Sequence, residues 1–205
     1  MRRSEPRRNR RSIRLPRNDY TRPGAYFITI CAFERRCLFG DIGDERVALN
    51  EIGEIVRDEW LRTGKRRSTV ELDAFVVMPN HIHGIIAIRD DDRGTAGKRR
   101  GAARRASTAE RYGRPVSGSA PTIVRSFKSA VTKRVNELRG SPGAPVWQRN
   151  YFERAVRGER ELGLIREYID QNPLRWAFDR ENPVAENPPF DPAGPIVSLF
   201  EESRP

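Results

Sequence analysis

The chain has 205 residues, enough for one domain with a sizeable core. Its 39 Lys and Arg outweigh 28 Asp and Glu for a formal net charge of +11, and its only cysteines are Cys31 and Cys37. That composition argues against a disulfide scaffold and fits a reducing cytoplasm, and no apolar run approaches the roughly 18 residues of a membrane span.

The charge is unevenly spread. Residues 1–22 hold nine arginines, Arg7, Arg8, Arg10 and Arg11 among them, against Glu5 and Asp19, a balance of +7. Residues 98–114 contribute +6 more, so of the total of +11 the remainder carries −2. The expected organisation is a basic flexible arm over 1–22, a domain over 23–178 with a basic insertion at about 89–118, and a Pro-rich tail over 179–205. Arms of this kind bind phosphate backbones electrostatically and in a salt-sensitive way. No apolar segment follows the arginines, so a secretory leader is not expected.

After the arm, Ala25–Phe33 is β-branched and aromatic and reads as a first strand. Gly40 and Gly43 bracket a turn, and Leu49, Ile52, Val56 and Trp60 recur at helical spacing, which predicts a helix over about 46–63. Val70–Met78 and His81–Ile88 read as two antiparallel neighbours around a tight turn at Pro79-Asn80. Beyond the insertion, Ser119-Ala120-Pro121 opens a helix with the stripe Val124, Phe127, Val131, Val135 and Leu138, closed by Gly140. A short strand is predicted over Val146–Phe152 and a last helix over Glu159–Gln171, stopped at Pro173. The order β-α-β-β-α-β-α suggests an α+β, ferredoxin-like domain: a four-stranded antiparallel sheet with helices on one face.

The only two histidines of the chain stand as His81-Ile82-His83 in an otherwise apolar run. In a strand, positions i and i+2 share a face, so the pair offers two imidazoles on one rigid surface. Taken alone, it suits strand packing as well as a metal or acid-base site. The last helix carries Leu162, Ile165 and Ile169 as its core stripe, flanked by Tyr168 and Asn172, one turn apart. Periodicity leaves Tyr168 as packing and Asn172 as a helix stop.

Three segments together say more. Val77-Met78-Pro79-Asn80-His81-Ile82-His83, Val146-Trp147-Gln148-Arg149-Asn150-Tyr151-Phe152 and Ile165-Arg166-Glu167-Tyr168-Ile169-Asp170-Gln171-Asn172-Pro173 closely resemble, in order and spacing, the single-tyrosine transposases of the HUH nuclease superfamily, with the REP-associated tyrosine transposases of bacteria as the nearest branch. The resemblance covers about residues 20–178. It implies that His81 and His83 bind a divalent metal, Mg²⁺ or Mn²⁺, and that Tyr168 attacks a phosphodiester of hairpin-flanked single-stranded DNA. Asn172 matches the position where relatives carry a polar group that completes the metal shell. Arg154 stands where many relatives have a histidine. The branch is expected to be monomeric.

The arm residues Arg7, Arg8, Arg10 and Arg11, with Arg125, Lys128 and Arg149, are candidate DNA contacts. A hairpin-binding repressor, or a rolling-circle initiator or relaxase, is the competing reading. A histidine-triad hydrolase would need a histidine at position 85, which is Ile85.

Overall fold

The computed structural model of the chain describes residues 22–90, 116–179, 181–183 and 185. The arginine arm, most of the basic insertion and most of the tail lie outside the described residues. In chain order the elements are β1 (Gly24–Cys31), β2 (Gly40–Gly43), β3 (Arg46–Leu49), α1 (Glu51–Lys65), β4 (Val70–Val77), β5 (His81–Ile88), α2 (Ala120–Arg139), β6 (Phe152–Ala155) and α3 (Glu159–Gln171), followed by a 3₁₀ turn at Pro173–Phe178. Strands β4, β5, β1 and β6 form one sheet in that spatial order, every neighbour antiparallel. This is the ferredoxin-like strand order, and it puts the histidine strand β5 in the interior.

Two local expectations change. The segment from Gly40 to Leu49 is a hairpin rather than a turn leading into a helix, with Gly40 opposite Leu49 and Gly43 opposite Arg46. Its two turn residues, Asp44 and Glu45, have φ of 49° and 59°, as a two-residue primed turn requires. The helix starts only after Asn50, whose side chain accepts from the backbone N–H groups of Ile52 and Gly53 at 3.0 Å each, the usual satisfaction of orphan donors at a helix start. Farther on, Trp147 makes only an isolated bridge to Ala32. The paired strand there is β6, running beside β1 with Phe27 opposite Arg154.

The largest departure concerns the faces of the sheet. Helices cover both, not one. Helices α1 and α2 pack Val56, Trp60, Phe127 and Val131 onto Tyr26, Ile28, Ile30, Ile82 and Ile86. Helix α3 packs Ile165 and Ile169 onto Phe27 and Ile85, on the opposite face. The residues of β1 and β5 that pair across the sheet fall alternately on the two sides, so each strand supplies two cores. In α2 the stripe ends at Val135. Leu138 is 42% exposed because the last turn overruns the core, and Ala120 and Ile123 are buried at the other end.

Gly84 shows how tightly the larger core is built. A Cβ there would lie 2.3 Å from Cζ2 of Trp60, a fully buried ring. Gly84→Ala is therefore expected to destabilise the fold by about 1–3 kcal/mol through overpacking, read as a lower denaturant midpoint. Adding Trp60→Phe should recover part of that loss by relieving the clash.

Candidate active site

The site is built on the α3 face of β5 and β1. In β5 the odd positions His81, His83 and Ile85 face α3, while Ile82, Gly84 and Ile86 face the α1/α2 core. Across the ladder Thr29 lies opposite His83, and Cys31 lies opposite His81. Both imidazoles are buried, at 0% and 4% exposure.

Hydrogen bonds set how each ring presents itself. The Asn80 amide donates to the carbonyls of Arg35 and Glu181, at 3.0 and 2.5 Å, which turns its Oδ1 toward His81. That oxygen accepts from His81 Nδ1 at 2.9 Å. Because an amide oxygen only accepts, Nδ1 of His81 carries the proton and Nε2 offers its lone pair. The Nδ1 of His83 is held by the Thr29 hydroxyl at 2.8 Å. The two Nε2 atoms then converge to 3.0 Å. Phe27 stacks on the His83 ring and meets the Tyr168 ring edge-on, with centroids 5.5 and 6.1 Å away, so one buried aromatic supports both groups.

Helix α3 brings Tyr168 to this point from 85 residues away, its hydroxyl 3.3 Å from His83 Nε2. Asn172, at the end of the helix, is 2% exposed and lies beside His81, on whose protonation it acts, while its Oδ1 makes no hydrogen bond of regular geometry among the described residues. The sequence-predicted set His81, His83, Tyr168 and Asn172 is thus gathered in one place.

The structure adds a group that periodicity did not reveal. Asp179 extends its Oδ2 to 3.8 Å from His81 Nε2, and His81, His83 and Asp179 hold ligand atoms within 4.8 Å of one another. The expected domain boundary after 178 leaves Asp179 and Glu181 in the tail, and nothing in that Pro-rich stretch marks a ligand. Thr29 did carry a signal, as the one aliphatic hydroxyl in an apolar strand.

Electrostatics agree with a cation site. Burial lowers His81 to about 4, against which the Glu181 carboxylate and Asn172 work. Burial and the neighbouring His81 hold His83 well below its usual value. Both rings are therefore neutral ligands at neutral pH. Nitrogens 3.0 Å apart subtend about a right angle at an ion about 2.1 Å from each, the angle between neighbouring octahedral ligands. Two imidazoles, the buried Asn172 amide and a carboxylate make a donor set that suits a divalent metal ion. Cys31 adds no ligand: burial and Glu181 push its thiol up to about 12, and it donates to Glu181 at 3.5 Å.

The candidate DNA contacts are not drawn to the histidines. Arg125 is exposed on α2, the helix packed on the far face, and Arg149 is exposed in the loop before β6. The Lys128 ammonium is already engaged by the carbonyls of Gln148 and Arg149, at 2.6 and 3.1 Å, and burial lowers it to about 8. Its observed role is to tie that loop to α2. Arg7, Arg8, Arg10 and Arg11 lie outside the described residues. Among the described residues no helix is long and apolar enough to cross a membrane.

No protein-family model matches the chain. Among solved structures, a REP-associated tyrosine transposase bound to a REP hairpin shares 20% identity over 84% of this chain and 73% of its own, with a TM-score of 0.47. A Deinococcus radiodurans R1 protein provisionally assigned as a transposase shares 17% over 73% of this chain and 90% of its own, with a TM-score of 0.37. Both are partial, distant likenesses of chain path. A stronger one is in sequence: an uncharacterized protein of Haemophilus influenzae (strain Rd) is 39% identical over 172 residues, 84% of this chain and 92% of the relative. The chain belongs to the same family as that Haemophilus protein, sharing with it nearly the whole of the relative's length.

Proposed function

We propose that the chain is a metal-dependent tyrosine transposase of the REP-associated type, a DNA strand-cleaving and strand-transferring enzyme. The observation that carries this reading is the Tyr168 hydroxyl 3.3 Å from His83 Nε2, itself 3.0 Å from His81 Nε2. A nucleophile and a paired-imidazole cation site adjoin on one surface, and they are the residues the family resemblance singles out.

His81 and His83 would hold the ion through Nε2, with Asn172 Oδ1 and Asp179 beside them. A divalent ion there supplies Lewis-acid polarisation of a non-bridging phosphate oxygen. The protein's own part is geometric. Asn80 and Thr29 fix the ring orientations, and Phe27 packs against His83 and Tyr168. A tyrosine, with a pKa near ~10, is a weak nucleophile at neutral pH and depends on such positioning. Attack of the Tyr168 oxygen on the phosphorus, with departure of the 3′ oxygen, would leave a 5′-phosphotyrosine and a free 3′-OH. The bond energy is conserved for rejoining. Single-stranded DNA beside a hairpin is the fitting substrate, because a flexible strand reaches a sheet surface more readily than a stiff duplex. We take the protein to act as a monomer, the state the family resemblance implies.

The decisive experiment incubates the protein with Mn²⁺ or Mg²⁺ and labelled single-stranded hairpin DNA from its genomic neighbourhood. A covalent adduct that survives denaturant is expected from the wild type and none from Tyr168→Phe. Binding without an adduct would favour the hairpin-binding repressor instead. Thr29→Val keeps the side-chain shape but removes the partner of His83 Nδ1, so Mn²⁺ affinity measured by calorimetry should fall about 10-fold or more. The buried imidazoles also make the metal-free protein acid-sensitive. Unfolded histidines take protons near pH ~6.5, whereas folded His81 does so only near about 4. Thermal stability should thus be level above pH ~6.5 and fall as the pH drops below it, with a shallower fall in a His81→Gln, His83→Gln variant.

A further inference from the structure

The helix that carries the nucleophile rests on a smaller apolar patch than the one under α1 and α2. The buried cluster beneath α3 is Phe27, Ile85, Ile165 and Ile169, a small patch beside the core under α1 and α2. Two ion pairs add to that packing, one at each edge strand of the sheet.

At the β4 edge, the register slips between Leu72 and Phe75. Leu72 pairs with Ile86 and Phe75 with Gly84, so Asp73 and Ala74 together oppose Ile85. This is a β-bulge, which adds a residue to one strand and re-aims a side chain. The Asp73 carboxylate accepts from Arg166 through a two-pronged contact, Nε to Oδ1 at 3.0 Å and Nη2 to Oδ2 at 2.6 Å. Its other partner, the Ala74 N–H at 2.7 Å, fixes the carboxylate itself. Arg166 precedes Tyr168 by two residues. At the β6 edge, buried Arg154 donates through Nε to Glu161 Oε1 at 2.6 Å, and the other oxygen of Glu161 accepts from the Arg157 backbone N–H at 2.7 Å.

The geometry points to Asp73 and Arg166 as positioning residues for Tyr168, with Arg154 and Glu161 as the second anchor. The inference rests on the proposed chemistry at Tyr168. An exposed ion pair contributes little to global stability. A planar guanidinium gripped by both carboxylate oxygens, however, fixes direction as well as distance. Direction is what an in-line attack needs, since misplacing a reacting group by about 1 Å can cost up to about 100-fold in rate.

Arg154 and Glu161 are buried, and variants of them are liable to unfold, so the test uses the exposed pair. In the full-length protein, Asp73→Ala and Arg166→Ala should each slow single-turnover adduct formation about 10-fold or more. The DNA concentration dependence and Mn²⁺ affinity should stay unchanged. Amide hydrogen exchange over 159–171 should quicken while the melting temperature barely moves. The charge-swapped Asp73→Arg, Arg166→Asp protein should regain most of the rate. Wild-type rates and unchanged α3 protection in both single variants would overturn the proposal, as would a folded swap variant no faster than either single. If the wild type forms no adduct at all, the reading of function fails by itself, and exchange over α3 still decides whether the pair anchors the helix.

Discussion

Everything in this fold depends on β5 being buried on both faces. A strand has a side-chain period of two, so an interior strand between two helical layers must satisfy two environments at once. In β5 the even positions Ile82, Gly84 and Ile86 meet α1 and α2, and the odd positions His81, His83 and Ile85 meet α3. A slip of one residue would drive imidazoles into the main core and isoleucines into the site. Gly84 adds a second constraint, because Trp60 leaves no room for a side chain at that position alone. Folding of the larger core therefore also sets the direction in which the two histidines point.

That coupling explains how two polar rings are tolerated in so dry a place. A buried imidazole needs a partner at each nitrogen. Asn80 and Thr29 satisfy the Nδ1 atoms, which leaves the Nε2 atoms facing each other at 3.0 Å. Without a cation, that contact can be satisfied by a single shared proton and Tyr168. With one, both lone pairs have a use. Burial, which disfavours protonation of both rings, thus works against the metal-free fold in acid and for metal ligation near neutrality.

Much of this was legible in the residues, and the failures have physical causes. The bounds of α3 and β5, and the caps of α2, follow from periodicity, Pro and Gly; the histidine pair stands out by its spacing, whereas Tyr168 is singled out only by the family resemblance. Sidedness was not legible: the stripe Ile165, Ile169 says that α3 packs, not on which face. The hairpin β2–β3 was misread because Val47 and Leu49 fit a strand and Leu49 also fits the helical series with Ile52 and Val56. The true boundary signal was Asn50, whose capping role only the backbone reveals. Asp179 was hidden because the chain turns back over the site after Pro173, and that path depends on packing of Trp176, 6.0 Å from the His81 ring, rather than on any pattern.

The two faces also differ in what they ask of the sheet. The α1/α2 side is a broad apolar core with close backbone approaches, and hydrophobic burial alone can hold it. The α3 side must leave room for two imidazoles, a phenol and a carboxylate, so it cannot be filled with apolar side chains. Its helix packs Ile165 and Ile169 onto Phe27 and Ile85 and is secured at the margins as well, by Arg166 on the bulge residue Asp73 and by Arg154 on Glu161. Polar clamps at the rim and polar groups at the centre answer one requirement of the proposed site, that it stay both rigid and unfilled.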